Sequence, residues 1–302
     1  SGFNTPIRVL AAECYFTKWL GQLRGPLTTL RHCWHIWKII RSAQPDFIYV
    51  DRSNVLSGAL AARVLGVPVV LRIMGIYPSM WDLLSGKTIS HRAARWAYKT
   101  QFSQVLCTQD GSGGEKWLQN ALSPNTPFRM LLNGFDGADR SQHTDPRLKI
   151  IPSDRIVVLF VGRFETIKGC EQFARAIIRA VKNGTNNIHG VMIGTGSLYE
   201  NVRAFVYGKN AGHAFTFIDR LPHDQIPEAH RRAHIYVSLN QLGQLSNANL
   251  EAMAMGACMI IPEAQLERGI DEATQNFISN TAVVRIPWDG QEEALASAIQ
   301  SL

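Results

Sequence analysis

Short apolar runs rich in β-branched residues alternate with longer helical patterns along the whole of this chain. The alternation is typical of βαβ units, in which helices join parallel strands and cover their sheet. We therefore predict an α/β fold with parallel sheets. The predicted strands are Ile7–Leu10, Phe47–Val50, Val67–Ile73, Gln104–Thr108, Phe128–Leu132, Ile156–Val161, His189–Ile193, Ala214–Ile218, Ile235–Leu239, Cys258–Ile261 and Ala282–Ile286.

A polar segment, Asn133–Ser153, separates the predicted strands into two groups. It is rich in Gly, Asp, Ser and Pro, which favours a linker over a buried element. A chain of 302 residues is also long enough for two ordinary domains. We predict an N-terminal domain over 1–145 and a C-terminal domain over 146–302.

The net charge and the cysteines indicate which classes of partner and which cellular compartment to expect. A net charge of +7 favours an anionic partner, which can be a nucleoside diphosphate, a lipid phosphate, a membrane surface or a nucleic acid. Nucleic acid ranks last, because no nucleic-acid-binding motif is recognisable. The five cysteines form no C-x-x-C pair, which fits a reducing cytoplasm better than a disulfide framework. No apolar run reaches the length of a membrane span.

One helix with a basic side is predicted before the second strand, and it has two interpretations. Its apolar residues can cover the sheet, as apolar helix stripes usually do. Alternatively, its tryptophans and cations can rest on an anionic membrane surface, which would place the protein at the periphery of the inner membrane face. The apolar positions are Leu27, Leu30, Trp34, Trp37 and Ile40, and the basic ones are Arg31, His32, His35, Lys38 and Arg41.

Two cations follow a buried strand in the second half of the chain. Residues 157–161 lead into Gly162, Arg163 and, five positions further on, Lys168. In an open α/β sheet, ligands collect at the carboxyl ends of the strands, where these cations would lie. Arg can grip phosphate oxygens with two parallel hydrogen bonds, whereas Lys acts there as a point charge. Two such cations can also simply be solvated.

A short helix is predicted after the strand Ile235–Leu239. Ser246 or Asn247 can cap its start, and Gly256 can end it in the left-handed conformation. The exposed N–H groups and positive dipole end of this helix would face the same crevice as Arg163 and Lys168. In the first turns Glu251 can accept hydrogen bonds from two ribose hydroxyls, or it can serve only as a carboxylate that favours the helix dipole.

Together these segments resemble the donor domain of the family 4 retaining glycosyltransferases, which have the GT-B fold. The resemblance rests on Gly162-Arg163-x4-Lys168-Gly169, on the turn Ile193-Gly194-Thr195-Gly196, and on Asn247-x-x-Leu250-Glu251-Ala252-Met253-Ala254-x-Gly256. It implies that Arg163 and Lys168 bind the donor diphosphate and that Glu251 binds the donor ribose. It also implies two Rossmann-like domains whose parallel sheets face each other across a cleft. The further donor-binding candidates are Gly162, Gly194, Gly196, Gln244, Asn247, Asn249 and Leu250.

The chain departs from the family pattern at one position of the donor site. The family usually has a second Glu, eight residues before the ribose-binding one, that contacts the donor sugar. Gly243 stands at this position, and Gln244 is the nearest polar residue that could replace it. The departure leaves the identity of the donor sugar open.

The first half resembles the acceptor-side domain of the same family. The resemblance rests on Pro45-Asp46, on Gly66-Val67-Pro68 and on Asn133-Gly134. The loop after the third strand reads Met74-Gly75, so the His that family members often carry there cannot be assigned. Because the opening strand with its Gly-rich loop and the closing helix of the family are not found, we expect a fragment or a short member. The acceptor-side candidates are Gly75, Asp110 and Asn133, and Asp110 can equally form a simple turn with the glycine that follows it.

The resemblance implies a retaining glycosyltransferase that moves a sugar from a UDP- or GDP-linked donor to a glycan, a lipid-linked or a small-molecule acceptor. No cofactor and no metal site are predicted, since no Asp-x-Asp of a metal-dependent enzyme occurs. The alternative is a non-catalytic, sugar-nucleotide-binding partner subunit. A GT-B epimerase or phosphorylase also remains open, whereas a Rossmann oxidoreductase would need a Gly-x-Gly-x-x-Gly fingerprint that this sequence does not have.

Overall fold

The computed structural model describes residues 24–134, 144–185, 187–288 and 290–302, which form helices and two parallel sheets. The predicted α/β class is therefore confirmed. Within these residues every predicted strand is present, and its ends shift by two residues at most. The predicted strand Ile7–Leu10 lies outside the described residues.

The contacts divide the chain into two compact units. The grouping does not follow chain order, because two short segments of the first half belong with the second unit. The predicted boundary near residue 145 stays a prediction. Of the described residues, those up to Met74, Pro78–Leu106 and Leu118–Arg129 form the first unit, and Gly75–Tyr77, Cys107–Trp117 and those from Met130 onward form the second.

The first sheet has the strand order β1-β2-β3-β4. Strands β1 and β2 pair in parallel, with Val50 opposite Leu71. Leu71 and Ile73 are completely buried because alternate residues of β2 face the core. The elements of this part are α1 (Arg24–Ala43), β1 (Ile48–Asp51), α2 (Val55–Val64), β2 (Val69–Ile73), α3 (Pro78–Leu84), α4 (Ile89–Tyr98), β3 (Gln104–Thr108), α5 (Gly114–Ala121) and β4 (Phe128–Leu131).

The second sheet has the order β10-β9-β8-β5-β6-β7, and all its neighbouring strands pair in parallel. Its strands are buried on both faces, as expected of a parallel sheet covered by helices. The elements are β5 (Ile156–Val161), α6 (Cys170–Lys182), β6 (Ile188–Ile193), α7 (Tyr199–Gly208), β7 (Phe215–Ile218), α8 (Ile226–Arg232), β8 (Ile235–Val237), α9 (Asn247–Ala254), β9 (Cys258–Pro262), α10 (Glu272–Phe277), β10 (Val283–Ile286) and α11 (Gln291–Ser301).

Two apolar clusters cover the faces of this second sheet. On one face, Val158 and Phe160 of β5 join Phe173 of α6 and Leu295 of α11. On the other face, the alternate residue Leu159 belongs to a separate cluster. The centre of the sheet is thereby enclosed, so only the strand ends are available for ligands.

The polar segment predicted as a linker contains an ordered element. Residues 135–143 lie outside the described part, but Pro146–Ile150 form a 3₁₀ turn that begins after Asp145. The side chains of Leu148 and Ile151 are buried in the second sheet's core. The expectation of a linker through Ser153 is therefore wrong at its C-terminal end, because these two apolar side chains find a core to enter.

The predicted amphipathic helix is present as α1, and it extends over Arg24–Ala43. Trp34 remains half exposed, and the Lys38 ammonium lies 3.9 Å from the centre of its ring. Among the helices in the described ranges, none combines the length and the apolar character needed to cross a membrane.

Candidate functional site

The strand order of the second sheet reverses at β5. From β5 the chain adds β6 and then β7 on one side, and it then returns to place β8 on the other side. Ligands of open α/β sheets bind outside the carboxyl ends of the strands at such a switch point. The loops that follow β5 and β8 contain or lead into two of the three donor-domain motifs that the sequence analysis names. A hydrogen bond of 2.9 Å from the Gln241 N–H to the Ile167 carbonyl joins them.

The two cations after β5 differ in their surroundings. Arg163 is largely exposed and forms a 3.1 Å ion pair with Glu165, which is worth little in water. Lys168 ends the 3₁₀ turn Thr166–Lys168. Burial, and next the charge of Arg163, lower the pKa of Lys168, while Asp110 and Glu165 act in the opposite direction. An anion bound here would relieve that unfavourable environment of the ammonium group.

Helix α9 begins at the end of the loop after β8, as predicted. Ser246 occupies the cap position in an extended conformation, but its side chain makes no capping hydrogen bond. Gly256 follows the helix with φ +68°, which confirms the predicted left-handed end. The Asn247 amide oxygen accepts a 2.6 Å hydrogen bond from Asn133, so one donor candidate and one acceptor-side candidate are in direct contact.

Glu251 has a partner that the sequence analysis missed. Its Oε1 lies 2.9 Å from Nε2 of His223, and its side chain is only 11% exposed. His223 follows β7 and lies 28 residues before Glu251, a separation at which no sequence periodicity applies. Only the position of His223 just after a strand, where ligands collect, could have drawn attention to it.

Two of the predicted donor-binding residues, Gln244 and Asn249, are buried and hydrogen-bond each other. Gln244 has no exposed surface, and its amide donates to the Asn240 carbonyl while its oxygen accepts from Asn249. Asn249 also accepts a 3.0 Å hydrogen bond from the Tyr236 hydroxyl. A buried network whose members are all satisfied fixes local geometry. The structure thus uses Gln244 and Asn249 to shape the loop, and their contact with a donor stays a prediction.

Gly243 lies against the segment that follows β3. A Cβ at this residue would overlap the backbone of Gly111, and its φ of +110° is a conformation that favours glycine. The next residues continue the contact, since the Leu245 N–H donates to the Asp110 carbonyl at 3.1 Å. The departure from the family pattern therefore has a steric reason in this structure, where no side chain fits at residue 243.

The buried residue Asp271 hydrogen-bonds both segments of this contact. Asp271 Oδ1 accepts hydrogen bonds from the Gln244 N–H at 2.6 Å and from the Thr274 hydroxyl at 2.7 Å. The Asp271 N–H in turn donates to the Gly111 carbonyl. Burial raises the pKa of Asp271 to about 6, although these hydrogen bonds favour its charged form.

Asp110 is an acceptor-side candidate whose charge interacts with that of Lys168. Its Oδ1 accepts hydrogen bonds from the Ser112 N–H at 3.0 Å and from the Ser112 hydroxyl. Burial raises the pKa of Asp110, whereas Ser112 and the charge of Lys168 lower it. Gly75, with φ +86°, lies so close to Oδ2 that a Cβ there would overlap it. The structure thus brings Asp110 and Gly75 together and places Asp110 within the electrostatic reach of Lys168.

The remaining predicted glycines allow two loops to pack at the backbone level. Gly194 has φ +138°, and a Cβ there would overlap the Gly162 carbonyl oxygen. A Cβ at Gly196 would likewise overlap the Phe164 carbonyl oxygen. These positions need glycine for the fold itself, and their contact with a nucleotide stays a prediction. Leu250 is half-buried and packs against the core of the second sheet.

No group of three or more His, Cys, Asp or Glu side chains arranged to hold a metal ion occurs among the described residues. The polar side chains described above include the cations Arg163 and Lys168, the amides of Asn133 and Asn247, and the carboxylates of Asp110 and Glu251. This set of groups suits an anionic ligand held by direct protein contacts.

Residues 141–301, just over half of the chain, match the model of the glycosyl transferases group 1 family. The chain belongs to this family. The match contains both β5 and α9 with their loops, and the enzyme class predicted from the sequence is that of the family. The narrower assignment to family 4 stays a prediction.

Known relatives of this group 1 glycosyl transferase are distant. The chain is 22% identical over 251 residues to an alpha-D-kanosaminyltransferase of Streptomyces kanamyceticus. That alignment covers 80% of the chain and 63% of the relative, so the chain spans less than two thirds of the relative's length.

Solved structures confirm the GT-B fold class. HepE of Anabaena, crystallised in complex with UDP, superposes with a TM-score of 0.66 at 15% identity, covering 88% of this chain and 71% of HepE. Sucrose-phosphate synthase of Thermosynechococcus elongatus gives a TM-score of 0.66 at 17% identity, covering 91% of this chain and 68% of the synthase. At these identities the likeness shows the fold alone.

The steric account of Gly243 predicts an unequal cost of two matched substitutions. Gly243→Ala and Gly184→Ala both place a side chain at positive φ, at +110° and +96°, but a Cβ at Gly184 meets nothing within 4 Å. We expect Gly243→Ala to lower the free energy of unfolding by about 1–3 kcal/mol more than Gly184→Ala, because it adds overlap to strain. Urea unfolding of both variants measures the difference, and equal losses would contradict the account.

Proposed function

We propose that this protein is a retaining, metal-independent glycosyltransferase that transfers a sugar from a nucleoside diphosphate sugar. The observation that carries the proposal is the placement of Lys168 and the start of α9 at the ends of the adjacent strands β5 and β8. We infer from its motifs that it is a family 4 member. Because the chain spans only 63% of the kanosaminyltransferase, the activity of the whole protein is part of the proposal.

The cations Arg163 and Lys168 and the start of α9 suit the leaving group of such a reaction, which is the nucleoside diphosphate. As the bond between the sugar and the diphosphate breaks, negative charge grows on the diphosphate. A fixed ammonium in a poorly solvated position and the positive end of a helix stabilise that charge without reorganising. We assign Lys168 to this task, with Arg163 as the exposed second cation. The first N–H groups of α9, at Asn247, complete the proposed diphosphate site.

The nucleoside half of the donor is assigned to the carboxylate of α9. Glu251 lies in α9, and its carboxylate accepts hydrogen bonds. Two adjacent ribose hydroxyls can donate hydrogen bonds to one carboxylate. The donor in this proposal is linked to UDP or GDP, so its base is uracil or guanine. HepE, which shares the fold, was crystallised with UDP and also with UDP and glucose, and this favours testing uridine donors first.

On the acceptor side we propose Asp110, with Gly75 and Asn133 beside the path of the acceptor. The carboxylate of Asp110 can accept a hydrogen bond from a hydroxyl group, and the absence of a side chain at Gly75 lets the backbone approach its Oδ2 closely. The acceptor class remains a glycan, a lipid-linked or a small molecule. The alternative, a non-catalytic sugar-nucleotide-binding subunit, is favoured by Gly243, since this residue offers no side chain to a donor sugar.

Two substitutions separate the roles of Lys168 and Glu251. Lys168→Ala should lower turnover by about a hundredfold and change the Michaelis constant for the donor less, because its contact strengthens as charge develops. Glu251→Ala removes a contact that is present throughout the reaction, so it should mainly raise the Michaelis constant. Steady-state kinetics with EDTA present measure both effects.

The matched control for this experiment is Lys182→Ala, which removes an exposed cation from the end of α6. Normal turnover in Lys168→Ala, or loss of wild-type activity in EDTA, would contradict the metal-free mechanism. If neither transfer nor hydrolysis of any UDP- or GDP-sugar is detected in the wild type, the non-catalytic alternative takes its place.

We further propose a peripheral contact with an anionic membrane surface through the first unit. The sequences of α1, α2 and α4 contain no Asp or Glu, and the described residues of the first unit carry 12 Lys and Arg against 3 Asp and Glu, compared with 16 against 17 in the second unit. An apolar groove of about 470 Å³ lies between α1 and α2. Beside it, the Arg41 guanidinium lies 4.2 Å from the centre of the Trp37 ring. Cations beside exposed aromatic rings suit a lipid interface.

This contact predicts binding to acidic vesicles. We expect the protein to sediment with phosphatidylserine-containing vesicles and not with phosphatidylcholine vesicles. Trp34→Ala with Lys38→Ala should weaken that binding about tenfold or more, since it removes one aromatic anchor and one cation. Tyr207→Ala with Lys209→Ala is the matched control on the second unit, where Tyr207 is 55% exposed. Equal binding to both vesicle types would contradict the contact and favour the interpretation of α1 as a sheet-covering helix.

A further inference from the structure

The structure gives Glu251 a side-chain partner from another element of the same unit. His223 Nε2 lies 2.9 Å from Glu251 Oε1. We propose that His223 is a positioning residue that holds the Glu251 carboxylate in the orientation in which it receives the ribose of the nucleotide. This inference rests on the proposed function, because it requires a nucleoside at Glu251.

The two partners differ in exposure in the way that such a role requires. The Glu251 side chain is 11% exposed, whereas that of His223 is 81% exposed. The imidazole therefore covers the carboxylate from the solvent side and is itself not part of the core. A structural hydrogen bond that stabilised the fold would more often be buried on both sides, since exposed pairs contribute little to stability.

The backbone holds His223 in place independently of Glu251. His223 opens a 3₁₀ turn, His223–Gln225, directly after Pro222, whose ring restricts φ to near its observed −54°. The turn ends at Gln225, whose buried side chain accepts a 2.9 Å hydrogen bond from the Asp145 N–H. Helix α8 continues from the turn and packs against α9. The imidazole is thus presented to Glu251 by a segment that is anchored elsewhere.

The chemistry of the pair leaves the carboxylate able to bind hydroxyls. A carboxylate has about four acceptor positions, and the Nε2–H of the imidazole uses one of them on Oε1. The remaining positions are sufficient for two adjacent ribose hydroxyls. Glu side chains lose rotamer freedom when they bind a ligand, so a carboxylate that is already held loses less. His223 should therefore increase affinity for the nucleotide without touching the reacting atoms.

The charge of Glu251 also acts on the buried side of the site. Burial, and secondarily the charge of Glu251, raise the pKa of the Tyr236 hydroxyl above its ordinary range. Tyr236 donates its hydroxyl hydrogen to Asn249, not to Glu251. Among these neighbours, His223 is the residue whose side chain bonds the Glu251 carboxylate.

The test compares nucleotides with and without the ribose hydroxyl. Isothermal titration calorimetry measures the binding of UDP and 2′-deoxy-UDP, and of GDP and 2′-deoxy-GDP, to the wild type, His223→Ala, His223→Gln and Glu251→Gln. We expect His223→Ala to weaken the binding of UDP or GDP about 3- to 10-fold and that of the 2′-deoxy nucleotide less than about twofold. His223→Gln, whose amide can donate to the same oxygen, should restore most of the affinity. In steady-state kinetics, His223→Ala should mainly raise the Michaelis constant for the donor, as expected when a contact made throughout the reaction is weakened.

The outcomes separate this inference from the proposed function. If Glu251→Gln weakens UDP or GDP binding but His223→Ala does not, the positioning role is wrong and the nucleotide site stands. Equal weakening of both ribose forms by His223→Ala would also overturn the role, because the effect would not pass through the ribose. If neither UDP nor GDP binds the wild type, the proposed function and the inference fail together. Urea unfolding checks that the free energy of unfolding of both His223 variants stays within about 0.5 kcal/mol of the wild type, as expected for an exposed residue.

Discussion

The candidate site depends on the parallel pairing of β5 with β8. Val158 lies opposite Ile235 and Leu159 opposite Tyr236, so both strands point the same way and end at the same edge of the sheet. In the chain, 73 residues (162–234) separate these strands, yet their loops meet through a backbone hydrogen bond at Gln241. Every proposed contact of the diphosphate follows from this adjacency, since Lys168 comes from one loop and the start of α9 from the other.

Close packing of the backbone limits which side chains can contribute to ligand binding. Glycines let the segments after β3, β5, β6 and β8 approach until a Cβ would overlap their neighbours, as at Gly194 and Gly243. Where the backbone fills the space, recognition of a ligand must come from residues at the rim of the contact. Asp110 and Lys168, which interact electrostatically, and Glu251 with its histidine partner are the residues that we propose for this recognition.

The sequence predicted the fold more completely than the site. Strand β5 is a largely buried run of mostly β-branched residues, which is a local signal, and α9 has a cap position and a closing glycine. The directions of side chains in the loops are not local. The amides of Gln244 and Asn249 hydrogen-bond each other, and Asn240 and Tyr236 bond to them in turn. No local pattern in the sequence indicates this network, and contact of the two residues with a donor stays a prediction. His223 was missed for the same reason, since only the three-dimensional fold brings it to Glu251.

The central claim is that a nucleoside diphosphate lies between Lys168 and the first turn of α9 with no metal ion. The most direct measurement is a crystal structure of the chain grown with UDP or GDP in the presence of EDTA. The account predicts electron density for the β-phosphate within hydrogen-bonding distance of the Lys168 ammonium and of the N–H groups at the start of α9, with the ribose at Glu251. Density for the diphosphate at another strand edge, or only when a divalent cation is added and bridges its phosphates, would contradict it.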